Sequence, residues 1–422
     1  MSATSELQRH TELLRLVTCG SVDDGKSTLI GRLLYDTKQI FVDQMEHIEE
    51  TSKRRGDAYT NLALLTDGLR AEREQGITID VAYRSFLTPR RRFQLADAPG
   101  HVQYTRNMVT GASTADLAVI LVDARNGVVE QTRRHAYIVS ILGIPHVVAA
   151  VNKLDLVEWS EERFDEIALE LATLGLPDLK VIPMSALHGD NVVDASERMP
   201  WYDGPTLLEH LESVEIFYDR DLEHRRFPVQ WVIRPMADEH HDYRGYAGRV
   251  AGGVWRAGDE VVVLPSGQRT RVEAVETALG PLDAAVPPQS VTIRLADDVD
   301  VSRGDMLADP ERPPVVAREL VARICWLSDR PLEARAKVAV KQTTRSVRAV
   351  VEELVSRIEI DTLVDAPGPE RLALNDIGVV RLRLAEPLCV DPYSESRETG
   401  AFIVLDEATN ETVGAGMVIS AS

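Results

Sequence analysis

Gly20-Ser21-Val22-Asp23-Asp24-Gly25-Lys26-Ser27 fits the pattern G-x-x-x-x-G-K-[ST] at every fixed position. These residue types make a cradle for a polyphosphate. Two glycines let the backbone wrap, so that N–H groups point inward at a helix N-terminus. Lys26 adds a point charge for the β- and γ-phosphates, Ser27 offers a hydroxyl to Mg²⁺, and Thr28 joins the phosphate-binding set. The context supports the motif: the apolar run Leu13, Leu14, Leu16, Val17 reads as a strand before it, and Leu29, Ile30, Leu33, Leu34 as one helix face after it.

Asp97-Ala98-Pro99-Gly100 has the D-x-x-G form, about 70 residues past Lys26 and after a strand. There the Asp97 carboxylate can hold Mg²⁺ through water, while the Gly100 N–H meets a γ-phosphate only when one is present. His101 follows at once and is placed to orient an attacking water. Upstream, Thr78 stands where a hydroxyl can reach Mg²⁺ and the γ-phosphate when its segment is ordered. Val22 and Ile77 form either an apolar gate before His101 or ordinary packing. Asn152-Lys153-Leu154-Asp155 is N-K-x-D after another strand. The Asp155 carboxylate can accept from N1–H and the 2-amino group of guanine together, a pair that adenine does not offer. Ser185-Ala186-Leu187, after the next strand, places backbone N–H groups for the guanine O6. The nucleotide expected is GTP with Mg²⁺.

These motifs need a scaffold that brings strand ends together. Residues 1–213 alternate short β-branched runs with helical stretches, which implies a P-loop α/β domain with a mostly parallel sheet and helices on both faces. The strand candidates are Leu13–Cys19, Phe93–Ala96, Leu117–Val122, His146–Val151 and Lys180–Pro183. The stretch Asp36–Gly76 is a charged excursion whose Ile40, Met45, Ile48, Leu62, Leu65 and Leu69 suggest helices with one apolar face. From about residue 214 the period falls to two: Phe227, Val229, Trp231 and Ile233 alternate with their neighbours, as do Val291, Ile293 and Leu295. Such runs between glycine turns predict an all-β barrel over 214–313 and, past Pro310, Pro313 and Pro314, a second over 314–422. Pro89-Arg90-Arg91-Arg92 reads as a solvated hairpin tip, and Arg133-Arg134-His135 as a helix surface.

Bulk properties narrow the setting. The chain of 422 residues has 67 acidic and 47 basic side chains, a formal net charge of −20, which argues against an unaided nucleic-acid partner. Cys19, Cys325 and Cys389 are far apart and form no C-x-x-C, so a reducing compartment fits, and Cys19 reads as a small buried residue. With no apolar signal core and no membrane-length apolar run, a cytoplasmic location is expected.

The phosphate loop, Thr66-Asp67-Gly68-Leu69-Arg70-Ala71-Glu72-Arg73-Glu74-Gln75-Gly76-Ile77-Thr78-Ile79-Asp80 and Pro99-Gly100-His101 resemble the elongation-factor-like GTPases. Within that group the chain is most similar to the large GTPase subunits of bacterial sulfate adenylyltransferases. Asp24 and Ser21 inside the loop carry that likeness, with Gln103-Tyr104-Thr105-Arg106-Asn107-Met108, Gln131-Thr132-Arg133-Arg134-His135, the run from Met199 to Leu208, and Val413-Gly414-Ala415-Gly416-Met417-Val418 near the C-terminus. The likeness covers essentially the whole chain. It implies a heterodimer, or a higher assembly, with a small catalytic subunit that joins ATP and sulfate into adenosine 5′-phosphosulfate and pyrophosphate, an uphill reaction driven by GTP hydrolysis on this chain. Some relatives carry a fused kinase; with one G-x-x-x-x-G-K-[ST] in the sequence, that activity is expected to be absent here. Two alternatives stand beside this one: an elongation factor delivering aminoacyl-tRNA, which shares Asp97–His101, and a regulatory GTP-binding module without coupled chemistry.

Overall fold

The computed structural model describes residues 13–40, 42–55, 60, 62, 81–100, 105–216, 219–235, 243–359, 362 and 364–422. Thr78, Ile77 and His101 therefore lie outside the described residues, as do Leu65 and Leu69 of the excursion. The chain divides at residues 217/218 into two compact units.

The first unit is built on a six-stranded sheet: β1 (Leu13–Cys19), β2 (Ala82–Leu87), β3 (Arg92–Asp97), β4 (Leu117–Asp123), β5 (His146–Asn152) and β6 (Leu179–Pro183), in the order β2-β3-β1-β4-β5-β6. All neighbours are parallel except β2 and β3, which form an antiparallel hairpin. Every side chain of β4 is buried, and six of the seven in β5 are. Strands covered on both faces by helices read as unbroken apolar runs rather than alternating ones. The five expected strands are all present, each within a residue or two of its expected ends. β2 was not among them. As an edge strand it alternates half-exposed and exposed residues, with only Phe86 buried, so it lacks the continuous apolar signal of its neighbours.

Helices follow the strands. α1 (Lys26–Asp36) buries Leu29, Ile30, Leu33 and Leu34 against the sheet. α2 (Val42–Arg55) lies in the charged excursion and buries Ile48, as its apolar spacing implies. α3 (Thr105–Ala112), α4 (Glu130–Ile141), α5 (Glu161–Ala172) and α6 (Leu207–Ser213) complete the unit. Two expectations about basic residues are corrected. Arg90 is exposed at the β2–β3 hairpin, but Arg91 is buried and donates from Nη1 to the Leu211 carbonyl at 2.9 Å. On α4, His135 is not at the surface: it is buried, with Nε2 2.9 Å from Gln131 Nε2, and burial, helped by the Lys26 and Arg134 charges, lowers its pKa to about 3 and keeps it neutral.

The second unit holds two seven-stranded antiparallel sheets separated by the segment with Pro310, Pro313 and Pro314. In the first sheet the strands Glu260–Leu264 and Gln268–Thr277 pair with each other as well as with their other neighbours, so the sheet closes. In the second sheet Lys337–Gln342 and Arg345–Glu359 close it in the same way. Closure removes the edge-strand problem and accounts for the alternation around Ile293. The alternation expected from Phe227 to Ile233 is corrected: a bulge between Val229 and Trp231 breaks the period, leaving Trp231 exposed and Val232 against the core. The two sheets share an apolar contact of Val262, Leu264, Met306, Ala308 and Cys389. Beside it, Arg226 donates from Nε and Nη2 to the two Asp391 oxygens, each at 2.9 Å, with both residues buried. Among the described residues no helix is long and apolar enough to cross a membrane.

Removing one partner of a buried ion pair leaves an uncompensated charge. Arg226→Ala is expected to lower unfolding free energy by ~3–5 kcal/mol in urea titrations; a loss under about 1 kcal/mol, the range of exposed pairs, would mean that Asp391 finds solvent or another donor.

Candidate functional site

The carboxyl ends of β1, β3, β4, β5 and β6 lie along one edge of the sheet, and each carries one of the sequence motifs or joins them. Register fixes the order: Thr18 is opposite Asp97, Cys19 opposite Ile120, Asp123 opposite Asn152, and Val151 opposite Pro183. Ligands of open α/β sheets bind at this edge.

After β1 the chain turns through residues 20–25 into α1. Gly25 has φ +96, and a Cβ there would meet Asn152 Nδ2 at 2.4 Å, so this position demands glycine twice over. Lys26 folds back over the loop, donating from Nζ to the Gly20 carbonyl at 3.1 Å and to the Ser21 carbonyl at 3.4 Å. It is buried, and burial lowers its pKa, with Asp97 and Asp24 pulling the other way. The Ser21 hydroxyl oxygen is buried without a hydrogen-bond partner. Val22 is exposed, and Ser27 and Thr28 are half-buried.

Asp24 turns inward. Its carboxylate accepts from the Ser21 N–H at 2.5 Å and is buried. Burial raises its pKa to about 6; the Ser21 N–H and Lys26 oppose the rise, and Asp123 adds to it. Cys19, just before the loop, is buried and pushed up to about 12 by desolvation, which makes it an inert thiol.

The D-x-x-G turn abuts this loop. The Ala98 N–H donates to the Thr18 carbonyl at 3.3 Å. A Cβ at Gly100 would lie 2.3 Å from the Gly20 carbonyl and 2.5 Å from Lys26 Nζ, so only glycine lets the two segments approach this closely. Asp97 is buried at the end of β3, and Pro99 carries the chain from it to Gly100. Thus Lys26, Asp97 and Gly100 converge as expected.

The guanine-reader residues converge as well. Asn152 Nδ2 donates to the Asp24 carbonyl at 2.8 Å, and its Oδ1 accepts from the Ala186 N–H at 2.9 Å. The Asp155 carboxylate accepts from the Ser185 hydroxyl at 2.7 Å, with His188 Nε2 3.9 Å away. Lys153, in the left-handed region at φ 64, donates to the Asp23 carbonyl. The Ser185 N–H already donates to the Asp190 carbonyl. Of the N–H groups of residues 185–187, those of Ser185 and Ala186 thus already have acceptors within the protein.

Three further side chains belong to this edge. Arg32, on α1, donates to the Ala186 and Leu187 carbonyls at 3.2 and 2.6 Å and so braces the last loop. Asp123 and Arg125, after β4, pair with each other, and Asp123 also pairs with Lys153. Arg32 had no sequence signal, because its partner lies about 154 residues away. Asp123 had one: it ends a strand at the ligand edge of the sheet.

The arrangement fits a nucleoside triphosphate. A buried ammonium, a buried unpartnered hydroxyl and a closely packed glycine turn meet at one place. No group of three metal-ligating side chains exists among the described residues.

A family model described as "Elongation factor Tu GTP binding domain" matches residues 11–216, and one described as "GTP-eEF1A C-terminal domain-like" matches residues 319–419. "Sulfate adenylyltransferase subunit 1" of Bacteroides fragilis is 52% identical over 414 residues, covering 97% of this chain and 86% of that protein. The protein of the same description from Aeromonas hydrophila is 51% identical over 420 residues, 98% of this chain and 87% of its own length. A "Bifunctional enzyme CysN/CysC" of Mycobacterium tuberculosis is 56% identical over 97% of this chain, which spans 67% of that longer protein.

The raised Asp24 pKa gives a sign that can be checked. A carboxyl that is harder to ionise when folded destabilises the fold wherever it is ionised. The cost is absent below the ordinary carboxylate value and complete above about 6. Asp24→Asn should therefore stabilise the nucleotide-free protein by ~1–3 kcal/mol near neutral pH, the gain shrinking to nothing as pH falls towards about 4. Urea unfolding across that range would refute the burial argument if the gain were absent at neutral pH or constant throughout.

Proposed function

This chain belongs to the sulfate adenylyltransferase subunit 1 family of elongation-factor-like GTPases, and from that premise we propose how its residues use GTP. It is the GTPase subunit of a sulfate adenylyltransferase. GTP hydrolysis drives the uphill conversion of ATP and sulfate to adenosine 5′-phosphosulfate and pyrophosphate. The observation that carries this reading is identity of 51–52% along nearly the whole chain to proteins so described, joined to a phosphate loop and an N-K-x-D segment on one sheet edge. The aminoacyl-tRNA reading is set aside, because relatives 51–52% identical along nearly the whole chain carry the sulfate adenylyltransferase description.

In the proposed arrangement the N–H groups of residues 20–28 and the Lys26 ammonium bind the β- and γ-phosphates. Displacing Lys26 from the Gly20 and Ser21 carbonyls onto phosphate gives its buried charge a strong counter-ion. Ser27 and Thr78 would ligate Mg²⁺, with Asp97 reaching it through water; the ion would neutralise charge on the β- and γ-oxygens. Gly100 would donate its N–H to the γ-phosphate and lose that bond on hydrolysis, turning phosphate loss into movement of the segment behind it. His101 would orient the attacking water. Asp155, aligned by Ser185, would read the guanine edge, with Asn152, Lys153, Ala186 and Leu187 around the base. Residues 1–213, 214–313 and 314–422 would be the three domains, and adenylation would take place on a small partner subunit in the cytoplasm.

The test replaces the base reader in the assembled enzyme. With a co-expressed small subunit, pyrophosphate release from ATP and sulfate should rise on adding GTP. Asp155→Asn should weaken the GTP response by about 10- to 100-fold, the worth of a hydrogen bond to a charged group, and restore it with xanthosine triphosphate. No GTP response in the parent would overturn the function; a variant still preferring GTP would overturn the assignment of Asp155.

A further inference from the structure

Asp123 belongs to none of the three nucleotide motifs, yet it is the most heavily engaged carboxylate of the site. It closes β4, is 2% exposed, and accepts from the Arg125 backbone N–H at 3.0 Å and from Arg125 Nε at 3.0 Å. Its Oδ2 takes Arg125 Nη2 at 2.6 Å and Lys153 Nζ at 2.9 Å. The same Lys153 ammonium donates to the Asp23 carbonyl in the phosphate loop.

We propose that Asp123 is a positioning residue for nucleotide retention: its carboxylate holds the Lys153 ammonium against the Asp23 carbonyl, tying the base-reading loop to the phosphate loop so that the two halves of a guanine nucleotide are gripped as one unit. The inference rests on the GTP reading above and adds a residue to it.

Three observations carry the argument. First, the tie crosses strands. Lys153 follows β5, Asp23 follows β1, and Asp123 ends β4, the strand that pairs with both. One ammonium therefore connects three strand ends, and an ammonium with three donors can do so from a single point. Second, both backbones it joins are in the left-handed region, Asp23 at φ 68 and Lys153 at φ 64. Such conformations in non-glycine residues persist when surrounding bonds over-determine them. Third, Asp123 is itself fixed. Its carbonyl accepts from the Asn126 and Gly127 N–H groups, the Ala124 N–H donates to the Asn152 carbonyl, and Arg163 Nε holds the Ala124 carbonyl at 2.8 Å. Burial disfavours ionisation of Asp123, but the Arg125 and Lys153 hydrogen bonds outweigh it and hold the carboxyl at about 2. Asp123 is thus an anion throughout the working pH range.

A purely structural pair would contribute equally with the nucleotide bound or absent. A positioning pair shows itself in how fast the nucleotide leaves. The probe is a fluorescent N-methylanthraniloyl GDP on the full chain, chased with excess GDP. Asp123→Asn, which is isosteric, should speed dissociation by about 10-fold, with KM for GTP raised more than kcat is lowered; losing a buried carboxyl held at about 2 should also lower the melting midpoint without nucleotide, which is why the readout is dissociation and not stability. Arg125→Ala, which leaves the Asp123–Lys153 pair in place, should change dissociation by less than about 3-fold. In a Lys153→Met background, Asp123→Asn should have no further effect, because the two act through one contact. The proposal is overturned by unchanged dissociation in Asp123→Asn, by equal acceleration in Arg125→Ala, or by an undiminished effect in the Lys153→Met background. A parent chain that fails to bind the probe overturns the GTP reading instead.

Discussion

The site depends on a buried ammonium. Lys26 is held inside a loop of backbone carbonyls where burial works against its charge. Carbonyl dipoles are a partial substitute for the anion that such a charge prefers. The loop is in this sense incomplete on its own, and a polyphosphate completes it. The neighbouring features follow from that one constraint. Gly100 must lack a side chain because the ammonium and the Gly20 carbonyl already occupy the space. Asp24 points back to the Ser21 N–H, close enough to Lys26 for the two charges to favour each other. The Asp24 carboxyl pays for that place with a raised pKa.

A second constraint is the parallel sheet. Because β1, β3, β4, β5 and β6 run the same way, their carboxyl ends arrive at one edge, and the loops leaving them are close enough to bond to one another. Asn152 reaches the Asp24 carbonyl, Lys153 the Asp23 carbonyl, and Asn152 also fixes Ala186. The base-reading and phosphate-binding segments are consequently parts of one hydrogen-bonded structure. The Gly100 turn packs against the same loop, and in the proposed arrangement it is where loss of a γ-phosphate would first register.

Much of this was legible in the amino-acid order. The phosphate loop, D-x-x-G and N-K-x-D each pair a short fixed spacing with a strand before it, and that combination located Lys26, Asp97, Gly100, Asn152 and Asp155 at the sheet edge where they lie. The buried strands were legible because covered parallel strands are apolar throughout. What was not legible depends on contacts distant in sequence. β2 sits at an edge with one face in solvent and shows no apolar run. Arg91 and His135 sit in basic stretches that resemble a surface, yet the Leu211 carbonyl takes one and the other is buried beside Gln131. Arg32 meets its partners through the fold alone, and Asp123, although its place at a strand end was legible, meets Lys153 only through the fold.

The central claim is that GTP hydrolysis drives sulfate activation energetically rather than merely accelerating it. The direct measurement is the plateau mass-action ratio of adenosine 5′-phosphosulfate and pyrophosphate to ATP and sulfate, in the assembled two-subunit enzyme, with and without GTP. The account predicts a plateau that rises with GTP and falls back once the GTP is exhausted. A plateau that is reached sooner but has the same value would contradict it.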